Sequence, residues 1–172
     1  LLFPHHENEI AQAESLSGKT PFCNWWMHNG MLQLNGVKMS KSLGNLVLVR
    51  NLLKTIEPDH LRLYLISTHY REDANYQEGQ IAAMRDLYQK LKDACAEAND
   101  LPASMIVREE FEIAMQDDLD TPRALMTLSR TADRILSGNH EPGESEALRE
   151  SLGILGFAFA KARGPANNDF SP

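Results

Sequence analysis

The sequence predicts a mixed fold, with a short α/β part followed by helices packed on one another. Three observations carry that expectation. Asn35-Gly36 sits centrally in residues 31–38 and is a strong signal for a two-residue β-hairpin turn. From Gly79 onward, apolar residues recur at three- and four-residue steps in successive amphipathic stripes. Charge divides along the same line: residues 1–71 hold 7 Lys/Arg against 5 Asp/Glu, whereas residues 72–172 hold 10 against 19.

Taken in order, Leu1-Leu2-Phe3 reads as the end of a buried strand, and Pro4 turns the chain into a helix that runs from His5 toward Gly18. Phe22 to Met27 is β-prone. Adjacent Trp25 and Trp26 should then face opposite ways, with at least one in the core. Cys23 reads as a buried small hydrophobe. After the hairpin, residues 50–54 are helical in composition. Pro58 suits the first turn of a further helix, with Leu61, Leu63, Tyr64 and Leu65 on its apolar side, and His69-Tyr70-Arg71 ends it. Ile81, Met84, Leu87 or Tyr88, Leu91, Cys95 and Ala98 mark a long helix to about Asn99. Leu101-Pro102 breaks it. A second stripe holds Phe111, Ile113, Ala114 and Met115. A third begins at Thr121-Pro122 and carries Leu125, Leu128, Ala132 and Ile135. A fourth holds Leu148, Leu152 and Leu155. The Pro/Asn/Asp-rich tail from Gly164 is expected to be loose. The resulting division is 1–46, 47–78, 79–160 and a tail over 161–172.

Composition narrows the function classes. With 42% hydrophobic residues and a mean hydropathy of −0.38, the chain has an ordinary globular composition. No apolar run approaches the roughly 20 residues of a membrane helix. Two cysteines, Cys23 and Cys95, do not make a disulfide framework, which points to a reducing cytoplasm. A net charge of −7 argues against unspecific nucleic-acid binding, so phosphate chemistry is assigned to the first, slightly basic segment.

Within that segment, Lys38-Met39-Ser40-Lys41-Ser42-Leu43-Gly44-Asn45 places two ammonium groups and two hydroxyls on one loop. Lysines there can follow a polyphosphate as it gains charge, with hydroxyls and backbone N–H groups adding donors. The alternative is a solvated basic turn. On the first helix, His5 and Glu9 stand at i and i+4, so both leave one face a turn apart. An imidazole and a carboxylate so placed suit two of the roughly four ligands of Zn²⁺, or form a plain surface pair. Three aspartates in Asp117-Asp118-Leu119-Asp120 lack the glycine and glutamate spacing of a calcium loop and read as a helix-capping turn. Arg71 could meet a nucleic-acid phosphate, but an intramolecular ion pair is preferred.

The loop resembles the KMSKS motif of class I aminoacyl-tRNA synthetases. Phe3-Pro4-His5-His6-Glu7-Asn8-Glu9 followed by Ile10-Ala11-Gln12 resembles the FPHHENEIAQ segment of the cysteinyl-tRNA synthetase family. Trp25 to Gly30, His69-Tyr70-Arg71 and the Asp117–Leu125 string are similar to further segments of that family. The resemblance implies the end of a Rossmann-like catalytic domain over 1–46, a stem-contact-like helical connection over 47–78 and a tRNA-side helical bundle over 79–160. It implies that Lys41, with Lys38, stabilises the pyrophosphate of Mg-ATP, and that Lys38, Met39, Ser40, Lys41 and Ser42 form the ATP-binding loop. His5 and Glu9 are implied as two zinc ligands, with His6 and Glu7 shaping the pocket.

Cysteine, ATP and tRNA(Cys) are the implied partners of a cytoplasmic, monomeric enzyme with no membrane attachment. A paralogous ligase that transfers cysteine to an amino-sugar inositol is the alternative. The chain has no HIGH-type motif and no upstream cysteine pair, so the isolated polypeptide is expected to be an inactive fragment or a helical module that only binds.

Overall fold

The computed structural model describes residues 2–77, 79–98, 101–157 and 159. It opens with a kinked π-type turn over Leu2–His6 that is non-helical at Phe3. Helix α1 spans Glu7–Ser17 and stops where Gly18 takes a left-handed conformation and donates its N–H to Glu14. Strands β1 (Leu32–Leu34) and β2 (Val37–Lys38) form the expected hairpin. Asn35 and Gly36 both have positive φ, 52° and 78°, as a type I′ turn requires. Helices α2 (Val49–Leu52) and α3 (Pro58–Ile66) follow.

The chain then returns as β3 (Ala74–Tyr76), which pairs parallel with β1 to give the sheet order β2-β1-β3. This strand comes after the expected helix end at His69-Tyr70-Arg71, within the 47–78 span expected to be a helical connection. Ala74 and Asn75 give it little strand propensity, and its pairing with β1 spans some forty residues of chain.

Helices α4 (Gln80–Ala96), α5 (Met105–Gln116), α6 (Thr121–Leu136) and α7 (Glu144–Ile154) make the second half. Helix α6 lies against α4, α5 and α7, and carries seven buried side chains. Asp120 caps it by accepting from the Arg123 N–H, and a proline stands in its first turn. The stripes meet as one core through Leu91, Phe111, Leu128, Leu148 and Leu152, and α3 contributes Leu63. Phe157, beyond α7, is fully buried in the same core. Cys95 belongs to it too, and burial pushes its thiol up to about 12, which leaves it unreactive.

Before Leu61, the one buried side chain among the described residues is His6. Four expectations for this part are corrected. Residues 2 and 3 are not a strand: Phe3 is extended but has no ladder partner and is 82% exposed. Residues 22–27 form no strand either, since no neighbouring segment offers a ladder. Trp25 is exposed, while Trp26 is only partly covered, so neither lies in the core. Cys23 is half-buried. Among the described residues no helix is long and apolar enough to cross a membrane. The tail over 161–172 and the expected helix end at Asn99 lie outside the described residues.

Candidate active-site segment

The lysine loop leaves β2 at Lys38 and is closed by one side chain. The Asn45 amide oxygen accepts from the Ser40 N–H at 2.9 Å, and its amide nitrogen donates to the Lys38 carbonyl at 3.1 Å. Inside this ring the Ser40 hydroxyl lies 3.1 Å from that of Ser42 and accepts from the Leu43 N–H. Gly44 supplies the left-handed residue, with φ 66°, that lets its N–H reach the Lys41 carbonyl. Met39 is half-buried and donates its N–H to Leu32 on β1. Lys38 and Lys41 are exposed, and neither ammonium has an acidic partner among the described residues. A fixed backbone thus carries two uncompensated positive charges. Ser40 is engaged in shaping the loop, a role that the sequence alone did not disclose.

His5 stands in the π-type turn and Glu9 in the first turn of α1, and the two side chains meet. The His5 Nδ1 lies 3.8 Å from the Glu9 carboxylate, and both side chains are more than half exposed. Their donors, one imidazole nitrogen and one carboxylate oxygen, are types that zinc takes. Among the described residues no cluster of three or more His, Cys, Asp or Glu could hold a metal, so the pair fits as part of a zinc site and not as a whole one. His6, unlike His5, is buried. It stacks on Trp26 with ring centroids 4.4 Å apart, and its Nδ1 lies 3.3 Å from His28 Nε2. Burial, and next the charges of His28 and His5, push the His6 imidazole below the ordinary value of 6.5, against a raising influence of Glu7. No hydrogen bond or ion pair joins this helix to the lysine loop among the described residues.

The supports beneath the loop were the part hidden in the sequence. Gly30 donates its N–H to the Tyr70 carbonyl, and a Cβ at Gly30 would lie 2.0 Å from the Glu72 carbonyl oxygen. The Asp73 carboxylate accepts from the Met31 N–H at 2.6 Å and from the Gln33 side-chain amide at 3.1 Å. Asn75 accepts from Gly36 at the hairpin turn.

At the other end of the same segment, Asp118 accepts from the Tyr70 hydroxyl at 2.6 Å. It also takes a bidentate ion pair from Arg71, while its backbone carbonyl lies 3.0 Å from His69 Nε2. The Arg71 and Tyr70 hydrogen bonds hold the Asp118 carboxyl well below its ordinary value, at about 2. Arg71 therefore forms the intramolecular pair preferred from sequence. The three aspartates divide their work: Asp117 faces Arg123, Asp118 binds Tyr70 and Arg71, and Asp120 caps α6.

Comparison with known proteins gives consistent results. Residues 1–86 match the family described as the tRNA synthetases class I (C) catalytic domain. The chain is 44% identical over 161 residues to a cysteine–tRNA ligase of Legionella pneumophila (strain Corby), covering 91% of this chain and 35% of that protein. It is 41% identical over 161 residues to a cysteine–tRNA ligase of Burkholderia mallei (strain SAVP1), covering 91% of this chain and 34% of that protein. Over 153 residues it is 39% identical to one of Xanthomonas campestris pv. campestris, covering 89% of this chain and 34% of that protein. The chain spans about a third of the length of these curated relatives. With half of its residues matching that domain, the chain belongs to the class I (C) tRNA synthetase catalytic-domain family.

Proposed function

We propose that this chain supplies the lysine-loop segment of a cysteine–tRNA ligase, which forms cysteinyl-adenylate from cysteine and ATP and passes the cysteinyl group to tRNA(Cys). The observation that carries the proposal is the loop itself. Lys38 and Lys41 stand without acidic partners on a backbone tied at both ends by Asn45, in a chain whose relatives are named cysteine–tRNA ligases. The first part then belongs to a Rossmann-like catalytic domain reaching residue 46, residues 47–78 connect, and 79–160 form a tRNA-side helical bundle. The setting is the cytoplasm, and the enzyme acts as a monomer.

In the activation step a carboxylate oxygen of cysteine bonds to the α-phosphorus of Mg-ATP. The bond from that phosphorus to the bridging oxygen of the β-phosphate breaks, and pyrophosphate leaves. Lys41, supported by Lys38, meets the charge that moves onto the pyrophosphate, and Met39 to Ser42 frame the same group. The tied backbone roots both lysines beside one another, and their unpaired side chains are free to follow the charge as it develops. His5 and Glu9 are assigned to zinc as two of its ligands. Bound zinc would favour the soft cysteine thiolate over a serine hydroxyl. His6, stacked on Trp26 and paired with His28, holds the start of α1 in place beside them.

The test is to follow acylation by a polypeptide that carries this sequence at the full length of its relatives. Cysteine and ATP are supplied with either tRNA(Cys) or an amino-sugar inositol acceptor. Cysteinyl transfer to tRNA alone is the expected result. Transfer to the amino-sugar instead would replace this function with that of the paralogous ligase.

A further inference from the structure

We propose that Asp118, in the turn between α5 and α6, is a positioning residue for the lysine loop, which it fixes through Tyr70 and Arg71. The inference rests on the reading of the loop given above and adds to it a residue from the helical half of the chain.

The connection can be followed bond by bond. Asp118 binds the side chains of Tyr70 and Arg71, and the Tyr70 carbonyl accepts the Gly30 N–H. Residues 72 and 73 follow directly, and the Asp73 carboxylate holds the Met31 N–H and the Gln33 amide at the start of β1. Strand β3 then pairs with β1 through three successive residue pairs, and Asn75 grips Gly36 in the turn. Across the hairpin, Leu32 accepts the Met39 N–H, and Asn45 closes the loop onto Lys38.

Every link is a hydrogen bond, a covalent neighbour or a strand pair. This route matters because the first half has almost no buried core to hold the sheet by packing. Hydrogen bonds and the Asp118 ion pair take over that task. Asp118 and Leu119 both have positive φ, 53° and 57°, so the turn presents the carboxylate in a conformation that aspartate and asparagine tolerate far better than most residues. An adjacent packed helix end thereby sets the seat of a loop it does not touch. Energetic coupling between Asp118 and the loop is what single and double variants read out.

The experiment is residue-resolved amide hydrogen exchange on the 172-residue chain, comparing Asp118→Asn, Arg71→Gln and the double variant with the parent. Asparagine keeps the left-handed turn, so the fold of α5 and α6 is retained. Exposed ion pairs are weak, and each single variant should therefore speed exchange at Gly30, Met31, Met39, Ser40 and Ala74 by about two- to fivefold. The double variant should be no faster than Asp118→Asn alone, since that variant already removes the ion pair with Arg71. Amides of Leu91, Leu128 and Leu148 in the core should keep their rates.

Unchanged rates at the sheet and loop overturn the proposal. So does a uniform rise that includes the core, or an additive effect in the double variant. No substrate is involved, so failure here removes the role of Asp118 and leaves the ATP reading of the loop to its own assay.

Discussion

At the scale of single residues, the ion pair on Asp118 makes a claim about pH. Its carboxyl titrates near 2 in the folded chain against an ordinary 3.8, because Arg71 and Tyr70 both favour the charged form. A depressed folded value means that the pair's contribution is complete above about pH 4 and is lost as pH falls through about 2. A carboxyl-carbon NMR titration should therefore place Asp118 near 2, and Arg71→Gln should raise it toward the ordinary value. A midpoint near 3.8 in the parent chain would contradict the bidentate pair. Lys38, Lys41, His5 and Glu9 stand out in the sequence as candidates because they lie within short, ordered strings. Asp118 was visible only as part of an aspartate-rich turn. Its partner Arg71 stands 47 residues earlier, and nothing local in either string marks the pairing. Asn45 was similarly hidden, because a Gly-Asn pair after a basic run signals a turn without saying which donors the amide will hold.

Among the elements, the hairpin and the helices were readable and the third strand was not. A type I′ turn announces itself through two residues that accept positive φ, and amphipathic stripes announce helices over several turns. Strand β3 has neither signal. Its place beside β1 depends on Gly30, where backbone from another segment approaches closely. A methyl group there would meet the Glu72 carbonyl, which is backbone and cannot swing aside. Gly30→Ala should therefore cost about 1–3 kcal/mol through overpacking. Exchange protection of Met31 and Ala74 should fall well before that of the α4–α7 core. Equal stability of the variant and the parent in urea would show that residues 72 and 73 do not sit against Gly30 as described. The missed irregular stretches have a physical reason too: residues 22–27 have β-prone composition, but a strand exists only where a partner supplies the ladder.

Across the whole molecule, the chain is two regions of different character joined by α3, β3 and the Asp118 pair. The helical half encloses the core and carries most of the negative charge. The first half exposes apolar side chains such as Leu16 and Trp25, and places two of its seven Lys/Arg, Lys38 and Lys41, on the loop. The division of charge along the sequence follows the same asymmetry. The central claim is that the loop serves ATP. It is tested most directly by cysteine-dependent ATP–pyrophosphate exchange in a polypeptide carrying this sequence at its relatives' full length, with and without Lys41→Ala. Loss of one charge-stabilising contact made in the transition state should lower exchange by about 10²–10³, with cysteine binding nearly unchanged. Exchange at the parent rate in Lys41→Ala would contradict it.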